Sequence, residues 1–214
     1  MLGLSANLNY YLFNGNVDLR KGIFRLCESI REEMSLDPSD ASNVYMFMSR
    51  NRKVVKILHY ERGFYVLYEK RPVMGKFKKP VFDEVSKCYR IQWSDMAYLT
   101  ESIVVTNLNY YLFNGNVDLR KGIFRLCESI REEMSLDPSD ASNVYMFMSR
   151  NRKVVKILHY ERGFYVLYEK RPVMGKFKKP VFDEVSKCYR IQWSDMAYLT
   201  ESIVVDKMYV SSKD

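Results

Sequence analysis

The chain has 214 residues, 47% of them hydrophobic and 14% aromatic, which is enough apolar material to bury real cores and too much for a disordered chain. A formal net charge of +8 and a pI near 9.2 favour an anionic partner, nucleic acid first and a membrane surface second. No apolar run approaches the roughly 20 residues that a membrane span needs, and MLGLSAN lacks the charged start and apolar core of a signal peptide, so a cytoplasmic protein without a membrane partner is expected.

Residues 7–105 and 107–205 are identical at every position. A unit of this length is a small domain and far exceeds a solenoid repeat, so two like domains are expected, 1–105 and 106–214, the second carrying a polar tail from Asp206 to Asp214. Identity this complete means a very recent duplication or a deliberate construction, with construction the better account of the absence of neutral surface changes. The junction Ile103-Val104-Val105-Thr106-Asn107-Leu108 has no Gly, Pro or Ser spacer. The end of one unit must therefore lie close to the start of the next, and the two units are expected to pair within the chain as a side-by-side or strand-exchanged dimer.

Within a unit, Asn7 to Phe13 (NLNYYLF) followed by Asn14-Gly15 predicts a strand and a tight turn. Asp18 is placed to cap a helix to about Met34, because Leu19, Ile23, Leu26, Ile30 and Met34 fall on one stripe; Gly22 would then lie inside it and signal close packing. Asp37-Pro38-Ser39-Asp40 ends the helix in a turn. Val44 to Met48, Lys53 to Tyr60 and Phe64 to Lys70 predict an antiparallel meander, with Gly63 at a left-handed turn position. One face of it would pack on the helix, leaving the other aromatic and partly polar. Pro72 to Pro80 is too broken by proline for a regular strand and reads as a basic arm. Lys87 to Trp93 predicts a further strand, and Ser94 caps a short helix from Asp95, with Trp93 and Tyr98 placed for a hydrophobic staple. The fold class is α+β, two identical units each built as an antiparallel β-meander on one main helix with a short C-terminal helix.

Charge is polarised within the unit. From Arg50 to Lys79 ten basic residues meet two acidic ones, a balance of +8, whereas the whole unit of residues 7–105 has 16 basic and 12 acidic residues, or +4. The remainder therefore sums to −4, an asymmetry that a merely solvated surface does not require. Lysines and arginines neutralise phosphates, a two-stranded ribbon can enter a major groove, and Tyr65, Tyr68 and Phe77 offer flat surfaces between the charges. The nucleic-acid-binding candidates are Arg50, Arg52, Lys53, Lys56, Lys70, Arg71, Lys76, Lys78 and Lys79, with Arg150, Arg152, Lys153, Lys156, Lys170, Arg171, Lys176, Lys178 and Lys179 in the second unit. Arg50, Arg52 and Lys53, at a turn tip, are the best placed. The competing reading gives these cations the duty of guarding sheet edges.

Nothing in the chain points to catalysis. Asp18, Asp37, Asp40, Asp83 and Asp95 sit at caps and turns, where structural roles account for them, and His59 has no nucleophile motif nearby. Cys27, Cys88 and their copies form no close pair and have no adjacent histidine, so free thiols are expected and neither metal nor cofactor is called for.

Tyr11-Leu12-Phe13, Val17-Asp18-Leu19-Arg20-Lys21-Gly22-Ile23, Asp37-Pro38, the run from Val44 to Pro80 and Trp93-Ser94 together carry a family likeness over nearly all of each copy. The unit resembles the TnpB accessory proteins, the Orf-two-like proteins of IS-sixty-six-type insertion sequences. That resemblance implies a role in transposition beside a separate transposase, with a poorly defined biochemical activity; DNA is the partner expected from the basic hairpin and arm, and the transposase or another transposon-encoded protein is the other expected partner. It also implies a short single-copy protein, from which the doubling departs. The alternative roles are an adaptor that binds the transposase complex through the aromatic sheet face, or an engineered single-chain dimer of such a protein.

Overall fold

The computed structural model describes residues 7–13, 17–20, 22–77, 81–83, 88–90, 108–113, 117–120, 122–177, 190–191 and 203–204. In the first unit these form strand β1 (Asn9–Leu12), helix α1 (Ile23–Ser29, continued by a wider π-type turn over Ile30–Met34), and strands β2 (Asn43–Met48), β3 (Val55–Glu61), β4 (Phe64–Pro72), β5 (Val81–Asp83) and β6 (Cys88–Arg90). The second unit repeats the order with β7 (Asn109–Leu112), α2 (Ile123–Met134), β8 (Asn143–Met148), β9 (Val155–Glu161) and β10 (Phe164–Pro172). Three two-residue strands follow, β11 (Lys176–Phe177), β12 (Arg190–Ile191) and β13 (Ile203–Val204). The expected helix after Ser94 lies outside the described residues.

Nine strands make one sheet in the order β1-β2-β3-β4-β10-β9-β8-β7-β12. Strands β2, β3 and β4 are antiparallel neighbours, and β1 runs parallel to β2, with α1 supplying the crossover that a parallel pair requires. The meander expected from the sequence thus gains a parallel edge strand. At the β3–β4 turn Arg62 and Gly63 both have positive φ, 47° and 82°, the type I′ pattern whose twist matches that of the strands.

Two expectations for the helix are corrected. It begins at Ile23 with Gly22 as its N-cap, so Gly22 is not interior, and a Cβ built there meets nothing within 4 Å; it marks a helix start, not close packing. Asp18 does not cap the helix. Its carboxylate accepts from the Arg20 backbone N–H at 2.9 Å and is gripped by the Arg20 guanidinium, closing a local turn in place of the cap.

Helix α1 lies on the aromatic side of the meander, the reverse of the expected arrangement. Ile23, Leu26, Cys27 and Ile30 pack with Tyr45, Phe47, Leu58, Tyr65 and Leu67, all buried, and the second unit repeats the cluster. The large rings suit this face because the helix stands well off the pleat, and burying each ring contributes on the order of 2 kcal/mol. The Tyr45 hydroxyl donates to the Asp37 carbonyl at 2.9 Å, so the ring that fills the core also fixes the loop that ends the helix. The opposite face is covered too. Val44, Met46, Val55 and Ile57 form a second core under Phe77, which returns across the sheet after β4.

The two units meet strand to strand. Strand β4 pairs antiparallel with β10 over nine residue pairs, from Phe64↔Pro172 through Tyr68↔Tyr168 to Pro72↔Phe164. The ladder continues past both prolines, where the N–H groups of Val73 and Val173 donate to the Gly163 and Gly63 carbonyls at 2.9 and 3.0 Å. Phe77 stacks on Phe164 and Phe64 on Phe177, each at 5.8 Å between centroids, so each returning segment caps the other unit's strand.

Candidate nucleic-acid interface

The hairpin tip between β2 and β3 is a rigid turn. The Ser49 hydroxyl accepts from the backbone N–H groups of Lys53 and Val54, and the Asn51 side-chain oxygen accepts from Lys53 N–H at 3.1 Å. Arg50 and Lys53 point out from it and are exposed, as are Arg150 and Lys153. Arg52 has a different duty: at φ 56° its carbonyl accepts from Phe77 N–H at 2.9 Å, and its guanidinium donates back to the Phe77 carbonyl at 3.4 Å. Arg152 does the same with Phe177. The two arginines clamp the start of the segment that reads in the sequence as a basic arm. Within that segment Pro72 ends β4, which also takes in Arg71, Val73 to Lys76 form a short exposed loop, and Phe77 is buried. Lys78, Lys79, Lys178 and Lys179 lie outside the described residues.

Lys56 and Lys70 are not surface groups, being only 5% and 3% exposed, and neither are Lys156 and Lys170. Register decides this. Lys56 sits opposite Glu69 on the helix side of the sheet, and its ammonium lies 3.2 Å from that carboxylate, while Arg71 Nε reaches the same carboxylate at 2.6 Å. The second unit copies the triad with Lys156, Glu169 and Arg171. On the other face Lys70 crosses the seam to Glu161 at 3.4 Å and lies over the Phe164 ring at 4.7 Å. Burial pulls the Lys70 ammonium below its ordinary range against the attraction of Glu161. Neither lysine projects from the open surface as a group at the hairpin tip does. The sequence signal was available in retrospect, since Lys56 lies inside, and Glu69 and Lys70 lie at the end of, runs otherwise apolar enough to be strands buried on both sides.

The aromatic face that an adaptor would use lies beneath α1, with Tyr45 and Phe47 fully buried and Tyr65 nearly so. His59 is a packed side chain whose Nδ1 is 3.1 Å from the Asn43 carbonyl. Cys27 and Cys127 are free and buried, and burial pushes both thiols up to about 11, away from reactivity. Among the described residues no group of His, Cys, Asp or Glu is arranged to hold a metal, and no helix is long and apolar enough to cross a membrane.

The acids are the pH-sensitive part of the structure. Burial raises Glu169, but Lys156 and Arg171 outweigh it and hold the carboxyl below its usual range; Glu161 is lowered in the same way by His159 and Lys70 against its burial. Asp37 and Asp40 are lowered by hydrogen bonds from Ser39 and Ser42, as are their copies. Depressed folded values mean that the unfolded chain takes up protons first. The stabilisation is thus fully present above about pH 5 and drains away as the pH falls through the folded values. Thermal melts from pH 7 to pH 3 should show a falling midpoint below about pH 5; a flat profile across that window would contradict the ion pairing described here.

The sequence matches the family described as IS66 Orf2 like protein twice, over residues 8–109 and again over 108–209. The chain belongs to this family. The two matches span both units, so the protein is a tandem of a transposition accessory protein of the IS66 type. Neither the curated proteins nor the solved structures include a match.

Proposed function

We propose that this chain is a non-catalytic accessory protein of DNA transposition that binds nucleic acid through two basic tips, one per unit. The observation that carries the reading is the outward projection of Arg50 and Lys53 from a turn fixed by Ser49 and Asn51, beside the exposed Lys76. The β4–β10 register puts the two tips at opposite ends of the seam, on the order of 30 Å apart along the strands. Two clusters held apart on one rigid sheet favour contact with separated stretches of a phosphate backbone over a single point contact. The pairing also supports the further reading of the tandem as a single-chain dimer, because the register is symmetric about Tyr68 and Tyr168.

The test is duplex binding followed by fluorescence anisotropy across a salt series. Log affinity should fall linearly with log salt at about −0.9 per phosphate contacted. Replacing Arg50, Lys53, Arg150 and Lys153 with glutamate should weaken binding by at least about a hundredfold and flatten the slope by up to about 3.6, while the melting temperature stays close to the parent value because the side chains are exposed. Affinity that ignores either the salt or the four substitutions would remove the tips from the reading.

A further inference from the structure

On the helix side of the sheet a cavity of about 280 Å³ opens across the seam, lined by Lys56, Glu69 and Arg71 of the first unit and Lys156, Glu169 and Arg171 of the second. Arg20 and Arg120 complete its cationic rim. It is a shared site, since neither unit alone supplies both walls.

Its charge is unbalanced. Among the described residues lining it, six cations face two carboxylates. Each carboxylate serves two cations at once: Glu69 has one oxygen 3.2 Å from Lys56 and the other 2.6 Å from Arg71. Arg20 has its own partner, Asp18, outside the cavity lining. Setting that pair aside, each unit still brings two cations and one carboxylate to the cavity, so the seam holds a surplus of two positive charges. Lys56 and Glu69 are buried and Arg71 is only 23% exposed through its side chain, so solvent screens this surplus far less than it would on an open surface.

The guanidiniums are also held in position. Arg71 engages Glu69 through Nε, which directs the terminal amino groups elsewhere, and its plane lies 5.5 Å from the centroid of Phe124 of the other unit; Arg171 and Phe24 repeat the contact. Phe24 and Phe124, more than half exposed, are the aromatic partners of the two arginines. Arg71 and Arg171 stand on opposite sides of the pseudo-twofold, six positions apart along the paired strands, and both line the cavity; a guanidinium fork is suited to bidentate recognition of phosphoryl oxygens. The volume falls just short of the range for drug-sized ligands and suits a small anion.

The geometry points to this seam cavity as a binding site for one phosphate-bearing anion, held by the cations of both units, with Arg71 and Arg171 reaching it from opposite sides of the pseudo-twofold. The site goes beyond the tips proposed above, and its chemistry is shared by a free oligophosphate and by a phosphodiester of DNA.

Calorimetric titration of the full chain with pyrophosphate, at constant ionic strength, tests it. Saturable binding of one anion per chain is expected, because the cavity is formed once by two units, whereas the tips occur twice. Arg71→Gln with Arg171→Gln should weaken pyrophosphate binding by at least about tenfold, the scale of one lost charge-assisted hydrogen bond. Arg71→Lys with Arg171→Lys keeps the charge but loses the fork, and should weaken it to an intermediate degree with the fold retained by circular dichroism. Glutamate at the four tip positions should leave the pyrophosphate titration unchanged, which separates this site from the tips. If pre-bound duplex suppresses the pyrophosphate heat, the natural source of the phosphate is DNA; if it does not, the source is a free oligophosphate, and the site stands either way. No saturable heat, two anions per chain, or binding untouched by the arginine substitutions would overturn the assignment.

Discussion

Replacing Glu69 and Glu169 together with alanine should unfold the protein or bring it close to unfolding under conditions where the parent is folded. Each carboxylate is only 5% exposed and is the shared counter-ion of a buried lysine and a half-buried arginine. Removing it strands Lys56 or Lys156 in a site that cannot hydrate the charge, a loss of about 3–5 kcal/mol for a broken buried pair. Two such losses approach the 5–15 kcal/mol that holds a typical domain together. The triads also share one cavity, so the double substitution should depart from the sum of the singles. Urea titration reads this directly, as a lower midpoint at unchanged slope for the single variants and a missing transition for the double. Replacing Lys56 with methionine and Glu69 with leucine in the same chain removes both charges at similar volume and should be far milder. Single-variant losses below about 1 kcal/mol would show that the triads are not the buried counter-ion pairs described here.

The second large effect concerns the seam itself. A chain ending at residue 105 should self-associate, because β4 would otherwise present an unpaired nine-residue ladder with Phe64, Val66 and Tyr68 on one of its faces. The register makes that association self-complementary. Phe64 pairs with Pro172, Tyr68 with Tyr168 and Pro72 with Phe164, so the same strand in two copies would satisfy the same bonds about a twofold at Tyr68. Sedimentation equilibrium should give a dimer at micromolar concentrations, and the melting temperature should rise with protein concentration, as linkage requires for a fold completed by association. A single unit that remains monomeric at tens of micromolar, with an unchanged melting temperature on dilution, would show that the seam is only a product of covalent tethering.

Much of the fold was legible from local pattern. The alternation through Val44 to Lys70 and the positive-φ turn at Gly63 locate β2, β3 and β4 to within one or two residues, because side-chain period and turn chemistry are local properties. The helix stripe through Ile23, Leu26 and Ile30 is equally plain, yet its start was misread. Asp18 had a nearer donor in its own turn, a competition between local hydrogen bonds that spacing does not resolve. The face on which the helix packs was misread as well, because both faces of the meander are apolar and only the return of Phe77 from outside the strands distinguishes them.

The site was legible in its charge but not in its partition. Sequence alone determined the exact repeat, the excess of cations between Arg50 and Lys79, the hairpins and the family. It could not separate Arg50 and Lys53, which stay in water, from Lys56 and Lys70, three and fourteen residues beyond Lys53 and Lys56 along the same basic run, which do not. That decision belonged to the tertiary structure, because it depends on what a second strand and a second unit bring alongside. Glu69 arrives by the β3–β4 register, Glu161 arrives across the seam, and a lysine is tolerated in the interior only where such a carboxylate meets it.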